Sequence, residues 1–150
     1  MMAAYSAGSD SVPSSCDTAD SSVRAVVDFC GPPDLAELYS GTPSAAVADS
    51  PVQYLGATPA EEAGRYRLLS PETCVDSASP PSLVIQGTRD TGVQASLSTD
   101  LEAQLDEAGV VDELVLLPAT EHGFDAVYGG FANQIAQARV DRFLDEHLIG

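Results

Sequence analysis

Two residues in this sequence have the type and setting for acid–base chemistry. Asp90 lies in Gly87-Thr88-Arg89-Asp90, just beyond the apolar run Ser82-Leu83-Val84-Ile85-Gln86-Gly87. His122 lies in Thr120-Glu121-His122-Gly123-Phe124, just beyond a second apolar run from Leu114 to Leu117. Runs of this length bounded by turn residues read as buried strands, and in open α/β sheets reactive groups collect in the loops at the C-terminal ends of strands. A carboxylate and an imidazole on adjacent parallel strands can meet there, the acid fixing the tautomer and leaving the other ring nitrogen as a base. Spacing alone leaves plainer roles open: Asp90 can cap its own loop, and His122 can be a structural loop histidine. His147, beside Glu146 near the end of the last predicted helix, reads as a favourable charge at a helix C-terminus.

The elements that must position these residues can be read along the chain. Met1 to Tyr5 is helix-compatible, and Ser6 to Ser22, rich in Ser, Asp, Gly and Pro, reads as loop. Val23 to Phe29 is a strand closed by Cys30-Gly31-Pro32-Pro33. Asp34 can cap a short helix carrying Leu35, Leu38 and Tyr39 and ending at Gly41. Thr58-Pro59-Ala60-Glu61 has the capping hydroxyl, first-turn proline and returning carboxylate of a helix start, with Arg65 to Leu69 continuing to Ser70-Pro71. Leu97, Leu101, Leu105 and Ala108 recur at helical spacing before Gly109. The last helix is predicted from about Phe131 to Leu148, with Phe131, Ile135, Phe143, Leu144 and Leu148 on its apolar face. Strand, helix, strand, helix, strand, helix is the order of an α/β chain with a mostly parallel sheet, and strands apolar on both faces require helices above and below. Three strands with an open leading edge make a poor complete domain.

Composition narrows the function classes. Six arginines, no lysine and 23 acidic residues give a formal net charge of -17, a surface that repels nucleic acid and anionic lipid. It suits either a protein kept soluble at high salt or an ordinary acidic one. A hydrophobic fraction of 44% in 150 residues is that of a globular domain. No apolar run is long enough to span a membrane, and the first five residues lack the flanks of a secretory signal, so the expected location is cytoplasmic. Cys16, Cys30 and Cys74 are too few and too scattered for a disulfide framework or a paired-cysteine metal site, and read as free thiols. With two histidines, a zinc site would need distant groups to converge, and the spacing gives no sign of it.

Four stretches in order resemble signposts of the α/β-hydrolases: Val23 to Leu35 (VRAVVDFCGPPDL), Leu69 to Thr73 (LSPET), Pro80 to Asp90 (PPSLVIQGTRD) and Leu116 to Phe124 (LLPATEHGF). They are most similar to the esterase/lipase and acylaminoacyl-peptidase-like branch related to hormone-sensitive lipase. The resemblance implies the C-terminal part of an α/β-hydrolase three-layer sandwich, with N-terminal strands missing, in which Asp90 is the triad acid and His122 the base. It implies no metal and no organic cofactor. The chain departs from the pattern at Gln86, where histidine is frequent, at Gln94, where proline is frequent, and at Cys30, where an aromatic is common.

A serine hydrolase also needs a Gly-x-Ser-x-Gly turn after a strand and an upstream oxyanion loop. Ala4-Tyr5-Ser6-Ala7-Gly8 matches only half of that turn, so Ser6 is a weak candidate nucleophile and Ser9 a weaker one. The expected organisation is a residual helix tail and loop over 1–22 and the C-terminal half of the hydrolase domain over 23–150, with the nucleophile upstream. The complete enzyme is then expected to hydrolyse small carboxylic esters, with peptides or acylated amino acids as the alternative, and this chain alone to be inactive. Its expected partners are a small ester or acyl substrate and either the missing N-terminal half or a second copy, with no nucleic acid and no membrane. Rival readings are a noncatalytic half-domain that associates through its open edge, an unrelated α/β module using Asp28 or Asp90 at a strand end, and a broken gene product.

Overall fold

The structure, a computed structural model, describes residues 1–7, 12 and 22–149. Ser9, Cys16 and most of the segment read as loop between Ser6 and Ser22 lie outside the described residues. Three parallel strands form one sheet in the order β1-β2-β3: β1 (Val26–Phe29), β2 (Ser82–Gly87) and β3 (Asp112–Leu117). Their register pairs Phe29 with Ile85 and Gly87 with Leu117, so β2 and β3 end at one level and β1 ends two residues earlier. Among the described residues, no strand pairs with the other edge of β1. This is the mixed α/β architecture expected of a partial α/β-hydrolase sandwich.

The central strand is buried along its whole length, and the two-residue period of a strand divides its side chains between two cores. Leu83 and Ile85 pack with Cys30, Leu117, Phe124, Ala136 and Phe143, against α6 (Phe131–Leu144). Val84 packs with Tyr5, Val26, Leu101, Leu105 and Val110, against α1 (Met2–Tyr5) and α5 (Ala95–Ala108). Leu83, Ile85, Leu101 and Leu105 are fully buried, each worth about 1.5–3 kcal/mol of hydrophobic stabilisation. Tyr5 adds a buried hydroxyl contact of 2.9 Å with Ser82 Oγ, tying α1 to the start of β2.

Between β1 and β2 the chain runs through three helices, α2 (Leu35–Gly41), α3 (Ala45–Leu55) and α4 (Ala63–Leu69), and a 3₁₀ turn over Pro71–Cys74. Asp34 caps α2 as expected, accepting from the Ala36 and Glu37 amides. The Glu61 carboxylate accepts from the Thr58 amide and hydroxyl, yet the residues after Thr58 form turns and the helix begins only at Ala63.

Helix α3 was not legible in the sequence, because Pro51 in its middle reads as a breaker. Proline leaves the carbonyl four residues back without its amide donor; here that carbonyl belongs to Val47, and the Ser50 hydroxyl donates to it at 2.8 Å. At the other end of the chain, α6 stops at Leu144 and continues as a π-helical turn over Asp145–Ile149. Its buried residues are Asn133, Ala136 and Phe143, whereas Phe131, assigned to the apolar face, is 82% exposed at the first position of the helix.

Acidic crowding leaves a mark at the start of β3. Burial, with the Asp106 and Glu102 charges on α5, pushes the Asp112 carboxyl up to about 6. A carboxyl whose folded pKa lies above its unfolded value favours folding while protonated, and that contribution is lost as pH rises from about 4 through about 6. Asp112→Asn is therefore expected to stabilise the protein by on the order of 1 kcal/mol near pH 8, after discounting for the partial exposure of the group. That corresponds to about 2–4 °C in melting temperature for a chain of this size, and the gain should vanish near pH 4. Thermal denaturation of both proteins across that range measures it, and an equal effect at both ends would contradict the assignment.

Candidate active site

The loops after β2 and β3 are zipped together by backbone and side-chain bonds. Thr88 N–H donates to Leu117 O at 3.0 Å and Arg89 N–H to Thr120 O at 2.9 Å, while the Ala119 amide donates to Thr88 Oγ1 at 2.9 Å. Gly87 permits this approach: a Cβ built on it would stand 2.3 Å from the Thr120 carbonyl oxygen and 3.1 Å from that of Glu121, both backbone atoms. Ala119 takes a left-handed φ of 56°, which turns the β3 loop back toward β2.

Within this junction Asp90 and His122 meet, with Nδ1 of the imidazole 2.7 Å from Asp90 Oδ2. The Asp90 side chain is fully buried, and that of His122 is 52% exposed. The other carboxylate oxygen accepts from the amides of Gly92 and Val93, both at 2.8 Å. Oδ2 also accepts from the Gln86 side-chain amide at 3.0 Å. Burial pushes the carboxyl up, but the bonds from His122, Val93, Gly92 and Gln86 outweigh it and hold the carboxyl below its ordinary value. With every neighbour donating, Asp90 is an ionised acceptor, so Nδ1 carries the proton and Nε2 keeps its lone pair. Among the described residues Asp90 is the hydrogen-bond partner of His122. Gly92 lies against the pair: a Cβ there would stand 3.3 Å from Asp90 Oδ1 and 3.4 Å from His122 Cγ.

Gln86 is a site residue that sequence reasoning passed over as a mere departure from the family pattern. It is fully buried, and its amide nitrogen also donates to Val93 O at 3.0 Å while its carbonyl oxygen accepts from Ser98 on α5 at 3.1 Å. A polar side chain at a core position of a central strand was the available signal, because such a group is tolerated only when its hydrogen bonds are satisfied.

Cys30 is the third side chain at the junction. It follows β1 in a left-handed conformation, φ 54°, with its amide donating to Ile85 O, and it is 3% exposed. Sulfur, carboxylate and imidazole nitrogen of Cys30, Asp90 and His122 lie within 4.8 Å of one another. No local pattern pointed to this convergence, because it arises from the parallel register, which sets the residue after β1 beside the loops that follow β2 and β3. Burial, helped by the Asp90 and Asp28 charges against a backbone bond from Gly87, pushes the thiol up to about 12. It therefore stays protonated at neutral pH and lacks the thiolate a nucleophile requires.

The remaining candidates lie elsewhere. Ser6 Oγ donates to Met2 O at 2.8 Å, next to Tyr5, which touches Ser82 at the opposite end of β2 from Gly87. Five residues of strand separate the two ends, roughly 16 Å. Asp28 accepts from the Gly31 amide at 3.0 Å and so closes the turn after β1. The His147 ring lies 4.5 Å from that of Phe143, tilted by 55°, and its carbonyl accepts from Arg24 ahead of β1, away from the junction. A cavity of about 370 Å³ opens in the segment between β1 and β2, lined by Asp34, Tyr66, Arg67, Ser70 and Glu72 among others, and includes neither Asp90 nor His122.

A parallel sheet with helices on both faces, and a buried carboxylate bonded to an exposed imidazole beyond adjacent strand ends, define a member of the α/β-hydrolase superfamily of esterases and peptidases. More closely, the chain belongs to the BD-FAE family, whose model matches residues 1–105. Among solved structures it is similar to a truncated form of a carbohydrate esterase from gut microbiota, with 25% identity and a TM-score of 0.72 over 95% of this chain and 54% of that one. It is also similar to a bifunctional GH43-CE protein of Bacteroides eggerthii, with 27% identity and a TM-score of 0.73 over 97% of this chain and 21% of that one. An acylaminoacyl peptidase shares the fold at 19% identity, with a TM-score of 0.68 over 82% of this chain and 19% of that one. The chain thus spans about half the length of the first of these structures and less of the others. No curated protein matches it.

Proposed function

We propose that this chain supplies the acid, Asp90, and the base, His122, of a serine-type acyl hydrolase whose nucleophile and oxyanion donors come from a further segment. The observation that carries the reading is the 2.7 Å Asp90–His122 bond, with the carboxylate saturated by donors and the ring half open to solvent. His122 Nε2 takes the proton of the attacking serine hydroxyl, and the alkoxide adds to the acyl carbonyl. The same nitrogen returns the proton to the departing alcohol or amine, then activates water to release the acid. Asp90 stays ionised throughout, fixing the tautomer and stabilising the imidazolium. In this reading residues 23–150 are the C-terminal half of the hydrolase domain, in the branch related to hormone-sensitive lipase, and residues 1–22 precede it.

Small carboxylic esters are the favoured substrates, supported by the carbohydrate esterase likeness at 25% identity. Amide or acyl-peptide hydrolysis is the second reading, supported by the fold shared with the acylaminoacyl peptidase. A noncatalytic role, in which the free edge of β1 docks on another chain, is supported by the lack, among the described residues, of a strand paired with that edge.

Labelling with a serine-directed fluorophosphonate in molar KCl, followed by peptide mapping, tests the reading. The folded 150-residue chain is expected to remain unlabelled, and a version extended upstream to acquire an adduct on an upstream serine that His122→Ala abolishes. An adduct on Ser6 of the unextended chain would contradict the division of residues. Turnover of paired ester and anilide substrates by the extended enzyme then separates esterase from peptidase.

A further inference from the structure

We propose that Cys30, Asp90 and His122 form a binding site for a thiophilic divalent cation of the zinc class, and that its occupation takes the acid–base pair out of service. One thiol, one imidazole and one carboxylate are a ligand set that favours zinc and related ions over magnesium or calcium, which prefer oxygen alone. Zinc–nitrogen and zinc–sulfur bonds of about 2.0 and 2.3 Å place the ligand atoms of a tetrahedral site about 3.3–3.6 Å apart. The three atoms already lie within 4.8 Å of one another, and the Nδ1–Oδ2 pair at 2.7 Å needs to open by less than an ångström. Cys30 is held at its place by a left-handed backbone conformation and an amide bond to β2. His122, 52% exposed, offers both the entry path and an open side for a fourth, water ligand.

Coordination balances simply. The thiol proton leaves to solvent as the metal–sulfur bond forms, and Nδ1 turns its lone pair to the metal while the imidazole proton moves to Nε2. The nitrogen that must accept a proton in hydrolysis then carries one, and the carboxylate that fixed the reactive tautomer is engaged by the metal. This consequence rests on the proposed hydrolytic role; the binding itself does not.

Titration of the full chain with Cd²⁺, followed by the ultraviolet thiolate-to-metal charge-transfer band, tests the site. A single saturating equivalent is expected for the unsubstituted chain, displaced by Zn²⁺. The band should be lost in Cys30→Ser, and affinity should fall at least about 100-fold in His122→Ala, the upper end of what changes around a metal site cost. An undiminished band in Cys30→Ser would assign the signal to Cys16 or Cys74 and overturn the proposal, as would unchanged affinity in His122→Ala. Circular dichroism checks folding; should Cys30→Ser fail to fold, His122→Ala decides the matter, because its side chain is half exposed. A metal-binding chain whose extended form hydrolyses normally without His122 would remove the hydrolytic reading and keep the site. Intact nucleophile labelling with no metal band would do the reverse.

Discussion

Replacing His122 with alanine is expected to lower turnover of the upstream-extended enzyme by on the order of a million-fold, the effect of removing the base of a serine triad. The physical reason is that a serine hydroxyl is a poor nucleophile until a positioned base takes its proton, and Asp90 cannot substitute. Its two oxygens are engaged by His122, Gln86, Gly92 and Val93, and its bonding holds it ionised but weakly basic. Little stability should be lost, because the ring is 52% exposed and surface substitutions typically change stability by about 0.5 kcal/mol or less. Asp90 does lose a donor, so a small rise in acid sensitivity is expected. Steady-state ester hydrolysis together with thermal melting measures both quantities. Unchanged turnover would remove His122 from the chemistry, and a collapse of the fold would make it a structural residue.

The second large effect is expected at Gly87, which touches no substrate in the proposed mechanism. Alanine there would bring its methyl carbon to 2.3 Å from Thr120 O and 2.9 Å from the Thr120 carbonyl carbon. These are backbone atoms, so relief requires the β2 and β3 loops to separate. The bonds that hold them, Arg89 N–H to Thr120 O and Thr88 N–H to Leu117 O, lie along the same seam. Overpacking of this kind costs about 1–3 kcal/mol, and it displaces His122, two residues from Thr120, from Asp90. Misplacement by about 1 Å is enough to cost roughly 100-fold in rate. Gly87→Ala is therefore expected to show both a lower melting temperature and a turnover loss of about that size, with the substrate KM less affected than kcat. Full activity in Gly87→Ala would mean that the seam does not position the histidine.

The destructive effect of a single methyl at Gly87 and the bonding of Gln86 point to one organising feature. The site is a junction between neighbouring strand ends, and its geometry is set by how closely two loops are stitched. The partners of Asp90 are supplied by β2 itself, by the turn leading into α5 and by the β3 loop. Ser98 on α5 in turn holds Gln86. The acid is thereby fixed from three directions, while the base hangs from one loop with an exposed ring.

Much of this architecture was legible from local chemistry. The β2 run from Ser82 to Gly87, the Asp34 cap, the helix from Ala95 to Ala108 with Gly109 in a left-handed cap at φ 72°, and the parallel order all follow from period, capping and turn residues, which act over a few neighbours. Helix α3 did not, since its rescue depends on which carbonyl Pro51 abandons and on a Ser50 rotamer. The outward placement of Phe131 did not either, because periodicity gives a face but not where a helix enters its packing. The sequence by itself determined the residue types at strand ends, and so the pairing of Asp90 with His122 as an expectation. Only the tertiary structure decided the 2.7 Å contact, the supporting role of Gln86, the remoteness of Ser6 and the convergence of Cys30. The Asp90–His122 contact spans 32 residues, a distance along the chain at which no local pattern carries information, and Gln86, though only four residues from Asp90, is turned onto it by the closure of the loop after β2.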